Sequence, residues 1–148
     1  MKWLIDTNVV SETAAPRPNL RVLRWFGDQP AQEIAISIVS VAELQHGVLL
    51  TQDHAKRTEL ARWIDEDVFA VFVDRILTVD SEILVQWLDL QRLLLARRQT
   101  RSPADLLLAA TAQVHALTVV TRNTRDFANT GITVYNPWSD ETHQMEAP

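Results

Sequence analysis

Ser102-Pro103-Ala104-Asp105-Leu106-Leu107-Leu108-Ala109-Ala110-Thr111-Ala112 is the stretch that decides how this chain is read. Ser102 suits an N-cap, and Pro103 suits the first turn of a helix, where its missing N–H is no loss. The helix after them is apolar or small on nearly every side, so it belongs inside a domain with other elements packed round it. Its first turn nevertheless carries a carboxylate, Asp105. Three other stretches also bring an acid to the end of an apolar segment: Leu4-Ile5-Asp6, Ser40-Val41-Ala42-Glu43 and Asn123-Thr124-Arg125-Asp126.

Outward from that helix, strand-like and helix-like segments alternate. Lys2–Asp6 predicts a short buried strand ending at its acid, followed by a brief helix over Val9–Thr13. Pro16 and Pro18 make a loop, and an amphipathic helix runs from Asn19 to near Gly27. Ile34–Ile38 is a β-branched second strand. Ser40 and Glu43 form the pattern of a capping box, which predicts a helix from Ser40 to about Leu50. A further amphipathic helix spans about Asp53–Val68, and Arg75–Val79 is the third strand. Asp80 or Ser81 caps a long helix to about Arg98. After the central helix come a strand at Thr118–Thr121, a one-turn helix at Asn123–Phe127 and a fifth strand at Ile132–Tyr135. From about Asp140 the sequence is polar and predicts a frayed tail. Strands alternating with helices imply a mostly parallel sheet covered on both faces, here of five strands in a single domain over residues 1–148.

Composition narrows the function. With 148 residues and 47% hydrophobic content the chain can bury a substantial core. It has no cysteine, so disulfide, zinc-thiolate and thiol chemistry are absent; this agrees with a reducing cytoplasm. No apolar run reaches the roughly 18 residues that span a bilayer, and an acid at position 6 interrupts any signal-peptide core. The net charge is −5, so phosphate binding would rest on local arginines and metal rather than on the whole-molecule field. His46, His54, His115 and His143 show no metal-ligand spacing, and there is no glycine-rich phosphate loop or nucleophile elbow. Trp3, Trp63 and Trp87 read as core; Trp25-Phe26 reads as core or as a docking pair.

Each acid has two readings. Glu43, Asp105 and Asp126 each stand three residues after a Ser or Asn, where a cap and the helix dipole explain a carboxylate. Asp6 gains nothing from packing beside Trp3-Leu4-Ile5. Ligands of open α/β sheets bind beyond the carboxyl ends of strands, and oxygen-rich sites there suit a hard divalent ion. The acids therefore either hold a metal or merely cap helices in a non-catalytic interaction module.

The motifs Asp6-Thr7-Asn8, Val41-Ala42-Glu43-Leu44 with Gly47, Pro103-Ala104-Asp105 through Ala112, and Thr121-Arg122-Asn123-Thr124-Arg125-Asp126-Phe127 resemble those of the PIN-domain family. In particular they resemble the VapC-type toxins of type II toxin–antitoxin pairs, including the FitB-like branch. The resemblance covers about residues 2–137 and implies a PIN-like three-layer sandwich. It also implies a ribonuclease dependent on Mg²⁺ or Mn²⁺, with Asp6, Glu43 and Asp105 as metal-binding acids and either Asn123 or Asp126 completing the site. Thr121 would orient that loop, and Thr7 would add a hydroxyl. Arg97, Arg98, Arg101, Arg122 and Arg125 are candidates to hold RNA phosphates, a role suited to guanidinium groups. A homodimer and a small antitoxin carrying the DNA-binding domain are implied as well. A related nuclease acting on DNA or in RNA processing would keep the same site.

Overall fold

The computed structural model describes residues 1–148. Five parallel strands form the sheet: β1 (Trp3–Ile5), β2 (Ile34–Ser37), β3 (Ile76–Leu77), β4 (Thr118–Val120) and β5 (Thr133–Asn136). A sixth strand, β6 (Glu141–Gln144), pairs antiparallel with β5, giving the order β3-β2-β1-β4-β5-β6. The helices are α1 (Thr7–Thr13), α2 (Leu20–Asp28), α3 (Ile38–Leu50), α4 (His54–Trp63), α5 (Ala70–Phe72), α6 (Ser81–Ala96) and α7 (Pro103–Val114). A π-helical segment, Ile64–Phe69, joins α4 to α5, so the helical stretch expected to end near Val68 continues to Phe72.

Side chains of alternate strand residues leave the sheet on opposite faces, and the two cores sort accordingly. Leu4, Ala35 and Val119 face a core built with α6 and α7, including Ile83, Leu90, Leu94, Leu106 and Ala109. Ile5, Ile36 and Val120 face the other core, with Val9, Val22, Val41, Ile64, Val68 and Phe72. This is the three-layer sandwich. Ala109, Ala110 and Ala112 are at most 1% exposed, and their small side chains let α7 lie close to the sheet.

The sequence-based expectation needs correcting at two further points. The sheet has six strands rather than five, because residues 141–144 form an edge strand in place of a frayed tail. Backbone geometry makes this strand. Asp140 adopts φ 60°, its N–H reaches the Asn136 carbonyl at 2.8 Å, and the Trp138 N–H reaches the Asn136 side chain at 2.9 Å. The resulting turn lays Glu141–Gln144 against Thr133–Asn136, although only a polar face is presented. The second point is the start of α3. Ser37, fully buried at the end of β2, accepts the Val39 N–H at 3.1 Å and caps the helix. Ser40 is a buried residue within that helix, so Glu43 lies in its second turn and belongs to no capping box.

Strand order fixes where a ligand could bind. The chain moves from β1 outward to β2 on one side, while β4 flanks β1 on the other, so the direction of winding reverses between β1 and β4. In such sheets the crevice beyond the carboxyl ends at the reversal is the binding position. The register pairs Ile5 with Ile36 and with Val120, which sets Asp6, Ser37 and Thr121 side by side at that end.

Candidate active site

Asp6 is the anchor of the crevice. Its N–H donates to the Val120 carbonyl at 2.9 Å, which ties the acid to the last residue of β4. It also N-caps α1: Oδ1 accepts the Thr7 N–H at 2.7 Å. Oδ2 accepts the Thr121 hydroxyl at 2.7 Å and the Asn8 amide at 3.0 Å. Only 8% of the residue is exposed. Burial pushes its pKa above the ordinary value despite the hydrogen bonds from Thr121, Thr7 and Asn8, and the nearby charge of Glu43 adds to the rise.

Thr121 and Asn8 form the scaffold. The Thr121 hydroxyl accepts from the Asn8 amide at 2.9 Å and from the Asn123 N–H at 3.0 Å while donating to Asp6. Asn8 Oδ1 takes the Arg122 N–H at 3.1 Å. Thr121 therefore ties the first residues of the loop after β4 to Asp6 and Asn8. The central part played by Asn8 is not assigned by the sequence, where the only signal is a short amide two residues beyond the acid.

The other acids reach the same crevice from separate elements. Glu43, exposed on α3, accepts the Thr7 hydroxyl at 2.7 Å, so Thr7 links it to the Asp6 cap. Asp105 sits in the first turn of α7, where the Ser102 hydroxyl accepts its N–H at 3.0 Å and donates to its Oδ2 at 2.6 Å. Its pKa is raised, first by burial and then by the charges of Asp126 and Asp6, against the lowering effect of Ser102 and Arg101. Asp126 lies exposed in the 3₁₀ turn Thr124–Phe127, which Asn123 precedes without a side-chain cap. Its capping reading therefore has no hydrogen bond behind it. The acids sense one another's charge. Even so, no three acidic or histidine side chains are drawn close enough to form a ready-made metal shell, and Glu43 and Asp105 each accept a hydroxyl.

The arginines divide. Arg101 donates to the carbonyls of Thr100 at 2.8 Å and Ala128 at 3.2 Å, and its Nε is buried without a partner. It braces two loops at the crevice and places a positive charge near Asp105. Arg97 donates to the Ala147 carbonyl at 3.3 Å. Arg98 and Arg125 are exposed, with Arg125 next to Asp126. Arg122 is exposed too, and its guanidinium lies 5.5 Å from the Trp138 ring centre.

A PIN-domain family model matches residues 3–132. This chain belongs to the PIN-domain family. Within it, the chain stands with the VapC-type, FitB-like members. Toxin FitB of Neisseria gonorrhoeae is 34% identical over 137 residues, covering 93% of this chain and 99% of that protein. VapC ribonuclease Y4jK of Sinorhizobium fredii is 30% identical over 135 residues, covering 91% and 96%. The structure of FitAB bound to an IR36 DNA fragment contains a chain 32% identical to this one. It superposes with a TM-score of 0.86 over 96% of this chain and 99% of the other. The PIN fold and its three layers are therefore shared.

Proposed function

We propose that this chain is an endoribonuclease toxin that depends on Mg²⁺ or Mn²⁺. The observation that carries the reading is that the acids around the sheet reversal feel one another's charge: Glu43 acts on Asp6, and Asp6 and Asp126 act on Asp105. Asp6 and Asp105 both have raised pKa values, in a chain similar to a named ribonuclease. Oxygen donors of this kind suit a hard divalent cation, and a cluster of carboxylates that repel one another lacks the positive charge such an ion supplies. Asp6, Glu43 and Asp105 would hold it, with Asn123 or Asp126 completing the set. When bound, the ion supplies Lewis acidity and an acidified water for phosphodiester hydrolysis. The chain's own groups do the rest. Thr121 and Asn8 fix Asp6, Thr7 holds Glu43, Ser102 orients Asp105, and Arg122 and Arg125 present cations for RNA phosphates.

Similarity to Toxin FitB and to the DNA-bound FitAB complex supports a partner chain in a DNA-bound assembly. In the proposed reading that partner is a small antitoxin carrying the DNA-binding domain, and the toxin is a homodimer acting in the cytoplasm. No helix is long and apolar enough to cross a membrane. The hydroxyl contacts of Glu43 and Asp105 favour one alternative, an interaction module in which the acids only organise helix ends. Cleavage separates the two. Purified protein freed of partner should cut RNA when Mg²⁺ or Mn²⁺ is added and stop when chelator is added. No metal-dependent cleavage of any RNA by a folded, partner-free preparation would leave the module.

A further inference from the structure

Beyond the acids, arginines and aromatic rings continue one surface. Arg122 is joined to the site through its backbone: its N–H donates to Asn8, which donates to Asp6. Its guanidinium lies against Trp138, half-buried. The Trp138 carbonyl in turn accepts Arg21 Nη1 at 3.4 Å, which brings α2 alongside. There Arg21 and Arg24, both exposed, flank a cavity of about 520 Å³ that Trp25 and Tyr135 also line. The two rings lie 5.5 Å apart. None of these three arginines is ion-paired; of the twelve arginines only Arg62 and Arg92 are. Two carboxylates share the cavity wall, Asp28 and Asp140. Asp140 accepts the Tyr135 hydroxyl at 2.9 Å, and burial together with Asp140 pushes that phenol up to about 12, so Tyr135 stays neutral.

Cations that track a backbone, alternating with ring faces and edges, are how proteins hold single-stranded nucleic acid. We propose that the surface from Arg122 across Trp138 to the Arg21–Arg24–Trp25–Tyr135 cavity binds the single-stranded RNA flanking the scissile phosphate. This rests on the ribonuclease reading and assigns the strand a path. Arg21 and Arg24 take phosphates, and the cavity takes a base or sugar. In a chain of net charge −5 the hold on RNA rests on these three guanidinium groups, which outnumber Asp28 and Asp140 on the same surface and are free of ion pairs. Neither arginine belongs to the motifs that mark the acids.

The test is fluorescence anisotropy of a labelled single-stranded RNA of about 12 nucleotides with the full chain in chelator, across a salt series. The variants are Arg21→Ala/Arg24→Ala and Arg21→Lys/Arg24→Lys, with melting curves confirming that both fold. Each phosphate contact on a single strand steepens the plot of log K against log salt by about 0.7, so the double alanine variant should flatten it by about 1.4. Its affinity at low salt should fall roughly tenfold or more, and the lysine variant should keep the slope. An unchanged slope and affinity in the alanine variant overturns the path, as does a parent that binds no RNA in chelator. If the alanine variant keeps RNA but loses a co-expressed protein partner, the surface belongs to that partner and the proposal falls. Cleavage by the parent in Mn²⁺ reports on the ribonuclease reading separately, so either can fail alone.

Discussion

Thr121→Val is the sharpest probe of how the crevice is held together. Threonine and valine have nearly the same shape, so the change removes one hydroxyl from a fully buried position and little else. That hydroxyl donates to Asp6 Oδ2 at 2.7 Å and accepts from Asn8 and Asn123. A hydrogen bond to a charged group contributes about 1.5–3 kcal/mol. Asn8 retains Asp6 as a partner, and Asn123 is exposed enough for water to replace its lost contact, so those two losses add little. The expected cost at neutral pH is about 2–3 kcal/mol, or about 4–12 °C in Tm for a domain of this size. The pH dependence is set by Asp6. Its folded pKa lies above the unfolded value, so the native state binds more protons and the parent loses stability as pH rises through that range. The Thr121 bond lowers the pKa, and removing it raises the folded value further. The variant must then lose stability more steeply with rising pH. Its deficit should shrink toward about 1 kcal/mol in acid, where Asp6 is protonated and the lost bond is between neutral groups. Thermal and urea melts in chelator from pH 4 to 7.5 read this directly. A deficit equal at all pH values, or negligible at pH 7, would refute the reasoning.

Two further outcomes come from α7. Asp105→Asn keeps an oxygen for the Ser102 hydroxyl but removes a charge that repels Asp6 and Asp126; it should raise the Tm in chelator at neutral pH, by an amount that declines as pH falls. A lower Tm at neutral pH would make capping the stronger effect. Ser102→Ala removes the N-cap, should cost about 1 kcal/mol in melts, and should raise the Asp105 pKa when monitored by carboxylate NMR. An unmoved Asp105 titration would show that the hydroxyl does not set its environment.

Features held by local interactions are legible in the sequence, and those held by distant ones are not. The α7 boundaries are legible because Ser102 and Pro103 define its start and a run of Leu and Ala defines its burial. Asp6, ending an apolar strand with no packing reason for its charge, is legible as the acid at the carboxyl end of β1 and hence as a candidate for the crevice. The start of α3 is obscured because Ser37 and Ser40 are equally good caps in sequence, and Ile38-Val39 reads as strand. Both are buried, and what decides between them is that β2 ends at Ser37, whose hydroxyl accepts the Val39 N–H. The strand β6 is hidden, since Glu141-Thr142-His143-Gln144 has no hydrophobic alternation and is held by its ladder to β5. The Asn8–Thr121 bond joins residues 113 apart, and the Arg21–Trp138 contact joins residues 117 apart. Neither leaves a mark on its neighbours in the chain.

The central claim, that Asp6, Glu43 and Asp105 hold a catalytic divalent cation, is tested most directly by calorimetric titration of Mn²⁺ into the partner-free protein at neutral pH, beside Asp6→Asn. The site predicts saturable binding by the parent and at least a tenfold loss of affinity in the variant, whose fold is confirmed by its melting curve. Equal titrations for parent and variant, or only the weak unsaturable heat of an acidic surface in both, would contradict it.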